Sequence, residues 1–589
     1  MLMGKEIGYV FLSNSRTAAL EKDGEIVWFP CPRFDSPSIF SKILDEKSGG
    51  SLLLRPKARY DVTTSYIGDG LIAKSVFSTA RGRLVAIDFM PLAMPAIIRM
   101  IESEVPFSVT INPRFVYGKV GADIAIKSGG ISFRERGMED SFDVRINGNY
   151  RYMGNGAFQF GSGKASLMCL YSKNFKYGLF GAAGDVYPDP KEALDRTQSY
   201  WKAQIAMART AGIFVDEYKR SLAVIMGLTY APSGAIIAAP TASLPAMIGK
   251  SSNWDYRYVW IRDASYAVEA LAKAGLVYRA QRALSFMAST IDLSLKNFNH
   301  PLFELDGTAP AAERELEWLA GYRDSKPVRI GNGAYVQLQK DIEGEFLNAL
   351  YTYFAISKDA GFVKENMWAI DAIASWCSRT WNDKSTSLWE ERDGKRHFVH
   401  TKLMNWVAID RACRLKLAVG EDRDAAVLKS ISEKIRDEIM KKGFSKKHGS
   451  FIKYYGSDSV DASLLLLPLY GFIDARDGRF VGTVDRIIER LGAGNGLLNR
   501  TENDYEGEDS EPFTLTNTWL ARAYIRMGRR EKAVKSLKAL ADMSTKLMLF
   551  GERVDHRTGQ ILGNFPQLFP HAGFVTAVAE YESADMALI

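Results

Sequence analysis

The chain has 589 residues, of which 47% are hydrophobic, 25% charged and 12% aromatic, and its net charge is +7. That length exceeds one ordinary hydrophobic core, so two or more domains are expected. Lysines and arginines (76) nearly match the acids (69) without a long basic block, which argues against nucleic acid as a partner, and no apolar run is long enough to cross a bilayer. The start, Met1-Leu2-Met3-Gly4-Lys5-Glu6, lacks the basic and apolar pattern of a signal peptide. Cys31, Cys169, Cys377 and Cys413 are too dispersed to hold zinc and read as free thiols. A cytoplasmic protein without membrane, metal or cofactor is the expectation.

Residues 1 to 185 read as β structure. Lys22-Asp23-Gly24-Glu25 is a hairpin turn, and short alternating or β-branched runs follow, such as Arg59 to Tyr66, Leu84 to Phe89 and Ala165 to Tyr171. Their spacing predicts a large antiparallel sandwich. Tyr187-Pro188-Asp189-Pro190 breaks this pattern, and a bridging helix is expected from Glu192 to Met207. The expected division is therefore 1–185, a linker at 186–213, and a helical region at 214–589. Periodicity predicts about twelve helices there, among them 335–357, 361–380 and 459–468. Glycines, charges and rings collect in the loops between them, where a rigid scaffold usually carries function.

One such loop, Asn253-Trp254-Asp255-Tyr256-Arg257-Tyr258-Val259-Trp260-Ile261-Arg262-Asp263, holds four aromatics, two arginines and two aspartates. Rings interleaved with bidentate polar groups suit a sugar, whose C–H faces stack and whose hydroxyls need partners. A helix start in which an Arg–Asp pair holds a buried corner explains the same composition. Two further loops offer carboxylates. Glu390 and Glu391 follow Trp389, and a carboxyl against an indole would lose solvation and stay protonated, as a general acid does. Glu552 follows Leu549-Phe550-Gly551 in another loop. Taken singly, Glu390 and Glu391 read more simply as a surface acidic pair beside Arg392 and Arg396, and Glu552 as a helix-end ion pair with Arg553. Together they suit glycoside hydrolysis, where one carboxyl protonates the leaving oxygen and the other attacks or activates water.

These residues, with Ser13-Asn14-Ser15-Arg16-Thr17-Ala18-Ala19-Leu20, Trp28, Pro32-Arg33-Phe34-Asp35-Ser36-Pro37-Ser38, Gly321-Tyr322-Arg323, Pro327-Val328-Arg329-Ile330-Gly331-Asn332 and Gly563-Asn564-Phe565-Pro566-Gln567, resemble the glucoamylase-type glycoside hydrolases of family 15 in their two-domain prokaryotic form. The resemblance implies a β + α chain, with an N-terminal antiparallel β-supersandwich followed by an (α/α)6 toroid. It implies Glu390 as general acid, Glu552 as general base and Glu391 as a sugar-binding carboxylate. Arg262 and Asp263 would hold the terminal glucose, Tyr256 the attacking water, Trp260 and Trp389 the aromatic walls, and Arg500 another sugar contact. The aromatic floor of the next subsite would fall on Trp318 or Tyr322. Thr501 stands where the family often has an aromatic, and the acidic loop from Thr501 to Ser510 follows it.

The activity implied is an inverting exo-acting α-glucosidase acting on maltooligosaccharides, with trehalose as the alternative substrate. An inverting pair of carboxyls stands roughly 6.5–9.5 Å apart. A glycoside phosphorylase would not need Glu552, and a silent sugar-binding protein would need neither carboxylate. A small-molecule carbohydrate is the expected partner, and the sandwich face could support a homo-oligomer. No starch-binding module follows the helical region, so granular starch is not an expected substrate.

Overall fold

The computed structural model describes residues 8–127, 129–172, 188–291, 300–391, 394–502 and 511–583. The boundary expected at 185 and the acidic loop beyond Glu502 lie outside these residues, as does Arg392 beside the expected acid.

Sixteen strands come first: β1 (Val10–Ser13), β2 (Ala18–Lys22), β3 (Glu25–Pro30), β4 (Ser38–Phe40), β5 (Ser51–Pro56), β6 (Tyr60–Tyr66), β7 (Ala73–Thr79) and β8 (Gly82–Phe89). Then follow β9 (Ala96–Ser103), β10 (Phe107–Asn112), β11 (Ala122–Lys127), β12 (Gly130–Glu135), β13 (Ser141–Asn147), β14 (Tyr150–Gly154), β15 (Ala157–Phe160) and β16 (Gly163–Ser172). They form two antiparallel sheets, β1-β2-β3-β5-β10-β15-β14 with β4 added to β3, and β11-β12-β13-β16-β9-β8-β7-β6. Alternation sets the faces: Ala73, Ser75 and Phe77 of β7 are buried while Lys74 and Ser78 are exposed. The turn joining β2 to β3 places Asp23 and Gly24 at φ of 52° and 79°, the left-handed pair that a two-residue hairpin requires.

Helix α1 (Pro190–Ala206) opens with Asp189, whose carboxylate accepts from the amides of Lys191 and Glu192. Its buried Trp201 lies so close to Gly70 that a Cβ there would stand 2.7 Å from the ring's base. The remaining helices are α2 (Val215–Gly227), α3 (Ile261–Lys273), α4 (Val277–Ser289), α5 (Ile342–Ser357), α6 (Ala360–Glu365), α7 (Met367–Thr380), α8 (Val399–Ala418), α9 (Ala425–Glu438), α10 (Gly478–Leu491), α11 (Thr514–Arg526), α12 (Arg530–Asp542) and α13 (Leu568–Glu582). An inner ring closes through α3, α5, α8, the short turn Ala462–Leu466, α11 and α13 back to α3, with α2, α4, α7, α9, α10 and α12 packed outside. Every residue of α3 is buried, whereas outer helix α10 buries one stripe of Phe480, Val484, Ile487 and Leu491. The fold is thus an antiparallel two-sheet domain followed by an (α/α)6 helical domain. Among the described residues no helix is long and apolar enough to cross a membrane. Cys31, Cys169 and Cys377 are buried free thiols, and Cys413 is a half-buried one.

Three predicted helices differ. The one expected at 335–357 starts at Ile342, because Asn332 caps a single 3-10 turn at Gly333–Val336 and the following residues run toward Arg262. The one expected at 459–468 is only the 3-10 turn Ala462–Leu466, capped by Asp461 onto the Ser463 amide. The one expected at 361–380 is interrupted at Asn366, between α6 and α7.

Candidate active site

The aromatic loop resolves into two Arg–Asp systems with different jobs. Arg257 grips Asp255 in a bidentate pair (2.8 and 2.6 Å) and donates to the Ser36 carbonyl of the sandwich at 2.7 Å. This is the buried-corner role, and it pins the loop to the strands. Arg262, on the first turn of α3, instead donates through NH1 to Asp341 and Gln339 (2.9 Å each) and through NH2 to Glu390 (3.4 Å). Its ion-pair partners are Asp341, 79 residues away, and Glu390, and not the adjacent Asp263. Asp263 lines the same cavity with no side-chain partner among the described residues, and burial pushes its carboxyl up to about 8 against the pull of Arg262.

That cavity is lined by Tyr256, Trp260, Arg262, Asp263, Leu388, Trp389, Glu390, Arg500, Phe513, Glu552, Gln567, Phe569 and Ala238. It brings together eight of the eleven expected site residues. Glu390 sits at φ 61°, a left-handed position that a non-glycine residue holds at a cost of ~1–3 kcal/mol and that marks functional sites. Three donors converge on its Oε1: Trp260 Nε1 (2.9 Å), Gln339 Nε2 (3.1 Å) and Arg262. No donor meets Oε2 among the described residues. The indole expected to confront this carboxyl, Trp389, instead donates to Asp461 at 2.7 Å and packs on Phe513 and Trp519. Trp260 is the indole that meets Glu390.

Glu552 precedes the hairpin Arg553–Val554 / Ile561–Leu562 and is buried. Its Oε1 accepts from Tyr256 Oη at 2.7 Å and from Gln567 Nε2 at 3.3 Å. Burial raises its carboxyl above the ordinary range, opposed by Arg553, the Tyr256 hydrogen bond and Arg500. Gly563, at φ 80°, faces this group so closely that a Cβ would stand 2.9 Å from Oε2. Arg500 lies 5.7 Å from the ring centroids of both Trp389 and Phe513. The lining thus carries three carboxyls (Asp263, Glu390, Glu552) and two guanidinium groups (Arg262, Arg500), a set made neutral by one retained proton.

Three expected residues lie elsewhere. Glu391 is buried behind the loop, where its Oε1 accepts from Lys453 Nζ at 2.5 Å, and the same ammonium donates to Thr501 Oγ1 at 2.9 Å. Trp318, 37% exposed, donates to the Tyr117 carbonyl of the sandwich and lies under Lys119. Tyr322 lines a separate cleft with Tyr9 and Gln560. Tyr335 packs on the Trp260 cluster alongside Tyr256, and is itself stacked on His300 at 4.1 Å and 9°. Gln339, Asp341 and Tyr335 were missed because they fall in a stretch whose periodicity reads as helix. Outside the cavity, Glu511, Asp555 and His556 bring ligand atoms within 4.8 Å of one another. Their own contacts account for them: His556 meets Glu511 at 3.3 Å, and Asp555 caps the amides of Arg557 and Thr558.

Residues 212–579 match the family model described as glycosyl hydrolases family 15, and residues 8–148 match a model described as trehalase-like, N-terminal. The chain is 45% identical over 98% of its length to a Sulfolobus acidocaldarius protein named Trehalase 2, all of which is covered. It is 32% identical, over 98% of its length and 93% of the relative's, to the Trehalase of Thermoplasma volcanium. The solved structure of a bacterial glucoamylase complexed with acarbose superposes with a TM-score of 0.77 over 100% of this chain and 96% of that one. At 13% identity this is a likeness of fold.

Proposed function

The chain belongs to glycosyl hydrolase family 15, and we propose that within it this protein is an inverting hydrolase of α,α-trehalose. The observation that carries the substrate is the end-to-end similarity, at 45% identity, to a relative named as a trehalase. It moves the reading from the maltooligosaccharides expected first to the alternative. The lining agrees in kind: the rings of Trp260, Trp389 and Phe513 stand beside the charged groups of Arg262, Asp263, Glu390, Arg500 and Glu552.

In this reading the terminal glucose lies against Trp260 and Trp389, with its hydroxyls on Arg262, Asp263 and Arg500. Glu390 is the acid. With Oε1 occupied by three donors, its proton sits on Oε2 and passes to the glycosidic oxygen as the C1–O bond breaks. Glu552 is the base: it takes a proton from a water held with Tyr256, while that water's oxygen bonds to C1 from the opposite face. Sugar hydroxyls donating to Asp263 stabilise its anion. The glycon leaves as β-glucose and the departing glucose keeps its α configuration.

The test incubates the purified protein separately with trehalose, maltose and maltotriose and follows the glucose anomers by proton NMR. Equal initial α- and β-glucose from trehalose, with little release from maltotriose, is expected. Initial β-glucose from maltotriose alone would make the enzyme a glucoamylase, and α-glucose alone from either sugar would overturn inversion.

A further inference from the structure

Strand β11, Ala122–Lys127, ends one sheet, and among the described residues no further strand pairs beyond it. Its side chains alternate between two faces. Ile124 lies opposite Phe133 of β12, and Ile126 opposite Ile131, and both of those partners are buried. The two isoleucines therefore belong to the sandwich's inner, apolar face, yet they are 43% and 59% exposed. The core runs out to an uncovered margin.

The register also shows which main-chain groups are free. The Arg136 amide donates to the Gly121 carbonyl, so the hydrogen-bonded pairs with β12 are those of Asp123, Ala125 and Lys127. Ile124 and Ile126 turn their N–H and C=O groups to the open edge, a template for another strand. The sequence Asp123-Ile124-Ala125-Ile126-Lys127 is complementary to itself read backwards. A second copy laid antiparallel about a twofold axis through Ala125 sets Ile124 against Ile126 in a hydrogen-bonded pair. It sets Asp123 against Lys127 in the closer, non-hydrogen-bonded pair, and each contact occurs twice.

We propose that β11 is a homodimer interface, joining two sandwiches edge to edge into one continuous sheet with Ala125 on the twofold axis. The charges and the apolar stripe match only in this register, and the contact is isologous, so it closes at two copies. Asp123 and Lys127 already hold exposed pairs with Arg136 and Asp143, contacts of little worth that the dimer can share.

Sedimentation velocity across a concentration series tests the full chain. Twice the 65.7 kDa chain mass is expected, falling to one chain mass for Ile124→Lys/Ile126→Lys, with turnover retained because neither residue reaches the carboxylate cavity. A wild-type monomer at every concentration, or a dimer that survives the double substitution, overturns the proposal. Register is read by mild oxidation of Ala125→Cys, which is expected to give a covalent dimer far faster than Ile124→Cys or Asp123→Cys. Equal cross-linking of all three overturns the twofold axis at Ala125.

Discussion

Replacing Tyr256 with phenylalanine removes one hydroxyl and keeps the ring, which stands edge-on to Trp260 at 5.5 Å. The hydroxyl donates to Glu552 Oε1 at 2.7 Å, inside a cavity where burial already raises that carboxyl. A hydrogen bond to a charged acceptor is worth ~1.5–3 kcal/mol, and the Tyr256 hydroxyl holds the Glu552 pKa down, so its loss raises that pKa further. A base works when deprotonated, so activity disappears as pH falls through this pKa. Raising the pKa moves the acid limb of the profile to higher pH by the same amount. The assay is kcat/KM for trehalose from pH 3 to 8 (roughly, bracketing the limb), measured on both proteins. The alkaline limb is expected to stay in place. An acid limb that does not move, or moves downward, refutes the assignment of Glu552 as a base held by Tyr256.

Asp263→Asn is expected to abolish tight sugar binding yet stabilise the fold at neutral pH. Its carboxyl ionises near 3.8 when unfolded and at about 8 when folded, so the wild type loses stability as pH rises between those values, by up to ~5 kcal/mol; thermal melts at pH 4 and 8 should separate the two proteins only at the higher pH. Asp341→Ala breaks a buried pair with Arg262 and should cost ~3–5 kcal/mol in urea unfolding, with turnover lost as well. Gly563→Ala sets a Cβ against Glu552 at a left-handed φ, and kcat should fall more than tenfold (~1–3 kcal/mol) while KM for trehalose changes little.

Local pattern revealed much of this molecule, and its limits have a common cause. The Asp23-Gly24 turn and the Asp189 cap are legible because their chemistry lies within a few residues of chain. The aromatic loop and the two carboxylate loops stood out for combining groups that neither a core nor a solvated face would mix. Partners distant in the chain did not stand out. Asp341 serves Arg262, Asp461 holds Trp389, and Lys453 neutralises Glu391, and each contact exists only once the helical ring has closed. Gln339 and Asp341 also sit in a helix-like stretch that precedes the helix in the fold, because the cap at Asn332 and side-chain bonds to Arg262 outweigh its periodicity. Trp318 is an ordinary ring of the kind that lines sugar sites, and only its hydrogen bond to Tyr117 shows that it faces the sandwich instead.

The tether from Arg257 to Ser36 limits how this protein can be cut and recombined. Its guanidinium is enclosed between Asp255, the Ser36 carbonyl and the rings of Trp28 and Tyr117, while the Trp28 indole reaches across to the Pro240 carbonyl. Strip away the strands, and a cation, a carbonyl and the base of the loop bearing Tyr256 and Arg262 all open to solvent at once. The strand domain is thus a wall of the aromatic loop rather than an accessory, and a chimera that exchanges one half must carry Trp28, Ser36 and Tyr117 along with the helices they serve.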